Sequence, residues 1–194
     1  MLVIGIAGKK RSGKDTVAQM LMQCAEKVGI KATKRAFADA LKEECATMVV
    51  GHLPEEIAID VLKEMCTDEK KEKFRLLLQW WGTEFKRKMV SDTYWLDKLQ
   101  NWILQHCNTE REVVVVPDVR FLNEVEMIKQ LGGVVIKIHR PGITTEDNHI
   151  SETGLDDYKD WDGIITNNSD LEALELKTAK LFLMLFDWTW GQPE

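Results

Sequence analysis

Leu2-Val3-Ile4-Gly5-Ile6-Ala7 runs directly into Gly8-Lys9-Lys10-Arg11-Ser12-Gly13-Lys14-Asp15-Thr16, and the order of these pieces decides the fold. The first six residues are a short apolar run rich in β-branched side chains, the pattern of a strand buried in a parallel sheet. Beyond Thr16, apolar residues recur at helical spacing at Val17, Met20, Leu21 and Cys24. Strand, glycine-bracketed loop with a lysine, then helix is the context in which a G-x-x-x-x-G-K match binds phosphate. The glycines let the backbone curl so that successive N–H groups point inward, and the helix N-terminus adds its partial positive charge. Gly8, Lys10, Arg11, Ser12, Gly13, Lys14, Asp15 and Thr16 are the candidate nucleotide-binding set. Lys14 is placed to reach the terminal phosphates of a nucleoside triphosphate.

Asp15 follows the lysine where Ser or Thr usually sends a hydroxyl to Mg²⁺. A carboxylate among phosphates is repulsive unless a hard cation lies between them, so Asp15 reads as a metal-side residue. Further on, Val113-Val114-Val115-Val116-Pro117-Asp118 is the clearest buried strand in the chain, and it ends in a carboxylate with Arg120 beyond it. Pro117 is tolerated there as the strand ends. Asp118 is thus the second metal-side candidate, in the position of the second phosphate-loop motif.

The 194 residues suit one domain. With 44% hydrophobic and 30% charged residues the composition is that of a globular protein. No apolar run reaches the length of a membrane span, and the start lacks the basic region of a secretory signal, so a cytoplasmic protein without a membrane partner is expected. The net charge of −6 argues against broad, charge-driven binding to nucleic acid. Cys24, Cys45, Cys66 and Cys107 are scattered singly and are expected to be reduced, buried thiols.

Between these motifs, Lys31 to Phe37 can form a strand, and Phe37 opens a helix to about Val50 with Asp39 as its N-cap. A helix is expected from Pro54 to Met65, and another charged one from Glu69 to Met89, interrupted at Gly82. Arg75 and Gln79 share a face there, and Thr83, Glu84 and Arg87 follow the glycine. Ser91-Asp92 starts a helix whose Tyr94, Trp95, Leu99, Trp102 and Ile103 form a core-facing stripe. Phe121 to Leu131 is helical, Val134 to His139 is a strand stopped by Arg140-Pro141-Gly142, and Ile143 to Trp161 is a long polar loop. Gly163 to Asn167 makes the fifth strand. Ser169 and Glu172 form a capping box for a last helix to about Asp187, followed by a loosely held tail.

Three readings fit these residues: a nucleoside monophosphate kinase, a phosphate-loop kinase for another phosphorylated acceptor such as phosphomevalonate or dephospho-coenzyme A, and a nucleotide-binding switch. Asp after the loop lysine also occurs in phosphomevalonate kinases, so the loop does not choose. Arginines at 75, 87, 120 and 140 point away from a switch, which has no second anionic substrate to hold.

The chain resembles the bacteriophage deoxynucleoside monophosphate kinases, within the nucleotide-kinase group of phosphate-loop proteins. The resemblance is carried by Gly8-x-x-Arg11-Ser12-Gly13-Lys14-Asp15-Thr16, Phe37-Ala38-Asp39 with Lys42, Arg75-x-x-x-Gln79-x-x-Gly82-Thr83-Glu84, and Tyr94-Trp95. It continues through Val116-Pro117-Asp118-x-Arg120 with Glu124, Arg140-Pro141-Gly142, His149-x-Ser151-Glu152 and Asp162 through Asn167.

It implies an α/β, three-layer phosphate-loop kinase fold, with a five-stranded parallel sheet and helices on both faces. The implied domain is single, spanning 1–194, with a monophosphate-binding helical segment at about 38–107 and a lid-like loop at about 141–161. It also implies ATP as phosphoryl donor over residues 8–16 and Mg²⁺ near Asp15 and Asp118. Lys42, Arg75 and Arg87 would hold the acceptor phosphate, with Gln79 and Thr83 near base or sugar. Phe37, Asp39 and Glu152 join the substrate-binding set. Lys14, Arg11, Asp118, Arg120 and Arg140 form the catalytic set. The setting would be a host cytoplasm if the chain is phage-encoded. The choice between monomer and homodimer stays open, as do the roles of His149 and Ser151.

Overall fold

A computed structural model describes residues 1–51, 53–54, 57, 71–107, 111–143 and 149–191. The chain forms two compact units, Met1–Ala36 with Trp102–Glu194, and Phe37–Asn101.

The first unit is built on five parallel strands: β1 (Leu2–Ala7), β2 (Lys31–Lys34), β3 (Glu112–Val119), β4 (Val134–His139) and β5 (Gly163–Thr166). Their order across the sheet is β2-β3-β1-β4-β5. The phosphate-loop strand β1 is therefore central, paired with β3 on one side and β4 on the other. Both faces of the sheet are covered, and the two-residue alternation of the strands shows how. Leu2, Ile4 and Ile6 pack with Val17, Leu21 and Ala25 of α1 (Lys14–Lys27) and with Leu174 and Phe182 of the last helix. Gly5 points the other way, toward α5 (Leu122–Gln130), where a Cβ would stand 2.7 Å from Ile128 Cδ1. The expected three-layer α/β fold is present.

Pro117 corrects one detail of the sequence reading. It lies within β3, which continues to Val119 past Asp118. The β2 ladder has ended by then at Val115, and the register with β1 shifts between Gly5 and Ala7. The missing proline N–H thus falls at an irregularity, where a ladder bond is not required. Of the thiols, Cys45 and Cys107 are buried and Cys24 is half-buried, all three free. Cys66 lies outside the described residues.

The last helix, α7 (Leu171–Trp190), is capped by Asp170, whose side chain accepts from the Ala173 N–H at 2.9 Å. The expected Ser169 cap is one residue off, and the expected tail from Trp188 is helical as far as Trp190. The short α6 (Ile150–Thr153) interrupts the polar stretch after β4.

In the second unit, α2 (Phe37–Val50) starts at Phe37, so Asp39 is inside the first turn rather than at the N-cap. A carboxylate there still favours the positive end of the helix. The helix expected from Pro54 to Met65 lies outside the described residues save Pro54 and Ile57. Helix α3 (Lys71–Gln79) does not break at Gly82. It continues as a π-helix from Trp80 to Val90, and the Ser91 N–H still bonds five residues back, to Lys86 O at 2.9 Å. Cys45, Leu78, Leu41, Phe74 and Trp81 form a small core between α2 and α3. Helix α4 (Tyr94–His106), of which only the part up to Asn101 belongs to this unit, buries Trp95, Leu99 and Ile103, as its stripe predicts.

Phe182 is 1% exposed in the layer between α7 and the sheet. Phe182→Ala is expected to lower unfolding stability by about 3–5 kcal/mol through lost transfer energy and the cavity left behind. Urea denaturation checks this.

Candidate active site

The loop between β1 and α1 has the curled backbone its glycines allow. Gly8 and Gly13 take φ of 149° and 102°, and Arg11 takes 65°. Positive φ is uncommon outside glycine, and clusters at functional sites. Neither glycine has room for a side chain: a Cβ on Gly8 would lie 2.6 Å from Ile138 O, and one on Gly13 would lie 2.7 Å from Asn167 Nδ2. Asn167 holds the loop from the end of β5. Its Nδ2 donates to Ser12 O at 3.0 Å while its own N–H donates to His139 O at 2.7 Å. The Lys14 ammonium donates to the carbonyls of Gly8 at 2.7 Å and Lys9 at 2.8 Å. Those two bonds set it along the inner edge of the loop.

Four charged groups surround that ammonium. Burial pushes the Lys14 pKa down to about 8, the nearby Arg120 pushes the same way, and Glu152, Asp15 and Asp118 oppose it. The structure therefore brings Lys14, Asp15, Asp118, Arg120 and Glu152 into one electrostatic neighbourhood. Asp15 and Thr16 are exposed on the first turn of α1, and Asp118 is half-buried at the end of β3. Arg11 and Arg140 are exposed, with Arg140 Nη1 3.5 Å from Arg11 O.

Glu152 is the surprise of the first unit. The sequence reading sets it among substrate-binding residues, whereas the other members of that set belong to the second unit. Its side chain is 5% exposed, and it pairs with the Arg120 guanidinium. Its other oxygen accepts the backbone N–H of Lys10 at 3.3 Å. Lys9 adds two ties to the same segment, one to Glu152 O at 2.7 Å and one to the Asp156 carboxylate. Lys9, Arg120, Glu152 and Asp156 help line a cleft of about 50 Å³.

His149 and Ser151 also acquire roles. His149 caps α6 through Nδ1, which accepts from the Ser151 N–H at 3.2 Å. Arg120 Nη1 donates to Ser151 O at 3.1 Å. Glu124 is buried and receives the N–H groups of Arg120 at 2.7 Å and Phe121 at 3.1 Å, so it starts α5 and steadies Arg120 from behind.

In the second unit, Phe37 is buried at the start of α2, and Asp39 and Lys42 follow within two turns. Leu41 packs beside Gly82, where a Cβ would lie 3.0 Å from Leu41 Cδ2. Arg75 and Gln79 are on the α part of α3; Thr83, buried, and Arg87 are on the π part. Arg87 Nη1 donates to Asp92 O at 3.2 Å.

The sequence reading gave no site role to Asp156, Glu44 or Lys86, nor to Lys9 and Asn167 beyond quoting them in the loop and in the resemblance. Their partners are far away in the chain or hidden in charged helices, and no local pattern marks them. Burial pushes the Glu44 carboxyl up, but hydrogen bonds from Lys86, Tyr94 and Trp81 outweigh it and hold it below the usual range.

Comparison with known proteins adds to this geometry. A gluconokinase from Sinorhizobium meliloti 1021 matches at 13% identity with a TM-score of 0.50, over all of this chain and 98% of that one. A sugar kinase from Janibacter sp. HTCC2649 matches at 14% identity and the same score, over 97% and 98%. At this level of identity the likeness is one of fold alone.

By sequence, a protein of Acanthamoeba polyphaga mimivirus, provisionally named a deoxynucleotide monophosphate kinase, is 32% identical over 189 residues. That is 89% of this chain and 91% of the relative. The deoxynucleotide monophosphate kinase of Enterobacteria phage T4 is 33% identical over 111 residues, 57% of this chain. The match spans only 46% of the T4 enzyme and 43% of its Escherichia phage RB69 counterpart. The model of the deoxynucleotide monophosphate kinase family matches residues 50–178. The family match covers well over half of the chain, and the chain belongs to the deoxynucleotide monophosphate kinase family.

Proposed function

We propose that this chain transfers the terminal phosphoryl group of ATP to the phosphate of a deoxynucleoside monophosphate, giving ADP and the deoxynucleoside diphosphate. The observation that carries this reading is the curled loop of residues 8–16 with the Lys14 ammonium lodged on its inner edge, in a chain of this family. Such transfer needs little covalent chemistry from the protein, and is driven by positioning and by neutralising charge as it moves between oxygens.

In this reading the loop amides and Lys14 hold the triphosphate. Arg120, oriented by Glu152 and by Ser151 O, faces the charge that develops on the transferring group, with Arg11 and Arg140 at the exposed rim. Lys42, Arg75 and Arg87 hold the acceptor phosphate, and Gln79 and Thr83 lie on its sugar or base side. The unit Phe37–Asn101 is thus the acceptor-binding part. The segment around 141–161, of which 144–148 lie outside the described residues, acts as a lid that limits water, a competing acceptor.

Asp15 and Asp118 fit a Mg²⁺ ion. Among the described residues no group of three or more His, Cys, Asp or Glu is gathered to hold a metal, and Mg²⁺ with triphosphates commonly takes one or two carboxylates, waters and phosphate oxygens. When bound there, the ion would neutralise phosphate oxygens. The two carboxylates would hold it, and Lys14 would remain a separate cation on the loop.

The direct test is release of ADP from ATP in the presence of a panel of ribo- and deoxynucleoside monophosphates, with phosphomevalonate as control. Turnover with at least one deoxynucleoside monophosphate and none with phosphomevalonate is expected; the reverse pattern overturns the proposal.

Lys14→Met should keep the fold, judged by circular dichroism, and lower kcat by about 10²–10³ through loss of one preorganised contact. Unchanged turnover would remove the loop from the mechanism.

A pH dependence follows from the Lys14 pKa of about 8. A triphosphate beside the ammonium raises that value, so binding takes up a proton where the free protein has lost it. Affinity for ATP is therefore constant well below this pKa and falls as pH rises through it. Calorimetry at about pH 9 in buffers of different ionisation enthalpy should show net proton uptake, absent in Lys14→Met.

A further inference from the structure

Helix α3 carries four acceptor candidates at four-residue intervals, Arg75, Gln79, Thr83 and Arg87, and its winding changes between the second and third. An α-helix turns about 100° per residue, so Arg87, twelve residues on, would sit about 120° round from Arg75. The residue under Arg75 would instead be Lys86. A ladder closed one residue later turns roughly 80° per residue. Five α steps followed by seven π steps return Arg87 to within roughly 20° of Arg75 and carry Lys86 about a quarter-turn away.

The side chains follow the five-residue rows of the π segment. Trp80 and Phe85, five apart, stack at 5.7 Å with 16° between their planes. Lys86 Nζ stands 5.2 Å from the ring of Trp81, also five before it. Lys86 has turned to the side of α2, where it meets Glu44.

Glu44 gathers this arrangement on one carboxylate. Its Oε1 accepts from Lys86 Nζ at 2.6 Å and from Trp81 Nε1 at 3.1 Å. Its Oε2 accepts from the Tyr94 hydroxyl of α4 at 2.7 Å, with Lys98 Nζ at 3.5 Å. The Lys86 ammonium also lies 4.4 Å from the Tyr94 ring centre. An oxygen shared by residues five apart matches a π turn, in which i and i+5 are stacked neighbours. In an α-helix the nearest neighbours are three and four apart.

We infer that Glu44 is a positioning residue: by holding Trp81 and Lys86 on one oxygen it keeps residues 80–90 in π winding, and so sets Arg75 and Arg87 in one row as a two-pronged grip on the acceptor phosphate. Two guanidinium forks on one phosphate give directional contacts that a point charge does not. Gln79 and Thr83 lie between the two arginines in the same row. π segments are rare and concentrate at functional sites, and this one coincides with the acceptor candidates. The inference rests on the kinase reading above.

The test is a double-mutant cycle on Arg75→Ala and Arg87→Ala, measured as KM for an accepted deoxynucleoside monophosphate and repeated in Glu44→Gln. In the native background each single change should raise that KM about tenfold or more, with KM for ATP nearly unchanged. The double variant should cost clearly less than the product of the two, because both side chains serve one phosphate. Glu44→Gln should raise KM for the monophosphate about tenfold, leave kcat at saturation and KM for ATP within about twofold, and bring the arginine effects close to multiplicative. Lys86→Met, which removes the other half of the pair, should act as Glu44→Gln does and serves if that variant folds poorly. Multiplicative arginine effects in the native background overturn the inference, as does an unchanged monophosphate KM in a folded Glu44→Gln or Lys86→Met protein. Absence of any monophosphate turnover by the native chain would instead overturn the kinase reading itself.

Discussion

The phosphate loop depends on one cation held by backbone carbonyls. Lys14 donates to Gly8 O and Lys9 O, which requires the chain to double back within six residues. Only a backbone free to take φ of 149° and 102° at Gly8 and Gly13 does so. The close approaches behind both glycines leave no space for a Cβ, so packing and conformation make the same demand. Everything that supports the loop is arranged to keep that curl: a central strand leads into it, a helix leads out, and Asn167 is drawn against its outer side.

The same economy governs two partly buried carboxylates. Glu152 and Glu44 each join segments that are distant in sequence, and each does so with an arginine or lysine as principal partner. A buried carboxylate is costly unless paired and further hydrogen-bonded, and both meet that condition through additional N–H or O–H donors. Such groups contribute less to net stability than to uniqueness of arrangement. A misplaced Arg120 or Lys86 would leave a charge stranded at low dielectric, which disfavours alternative packings of the phosphate loop and of the π segment.

The fold was legible because its signals are local. β1 reads as a strand from six consecutive apolar positions, β4 was bounded correctly from Val134 to His139, and Gly29 with φ 74° closes the first helix region as its position suggests. Errors fell at places where a neighbouring element decides. Pro117 sits inside β3 because the β1 register shifts beside it. The last helix is capped by Asp170 where Ser169 was equally plausible by residue type. Gly82, a helix breaker by propensity, stays helical because Leu41 packs against it and the Trp95 indole bonds its carbonyl at 2.9 Å.

The sequence by itself determined the chemistry of the loop: which residues curl, which lysine reaches inward, and which carboxylate, Asp15, follows it. Strand, loop and helix are contiguous there, so spacing alone carries the geometry. Only the tertiary structure decided that Glu152 serves the phosphate loop, since 142 residues separate it from Lys10. Tertiary structure also decided that α3 widens to π winding. Helix winding is set by what the side chains meet, and the partners of Trp81 and Lys86 lie on α2 and α4.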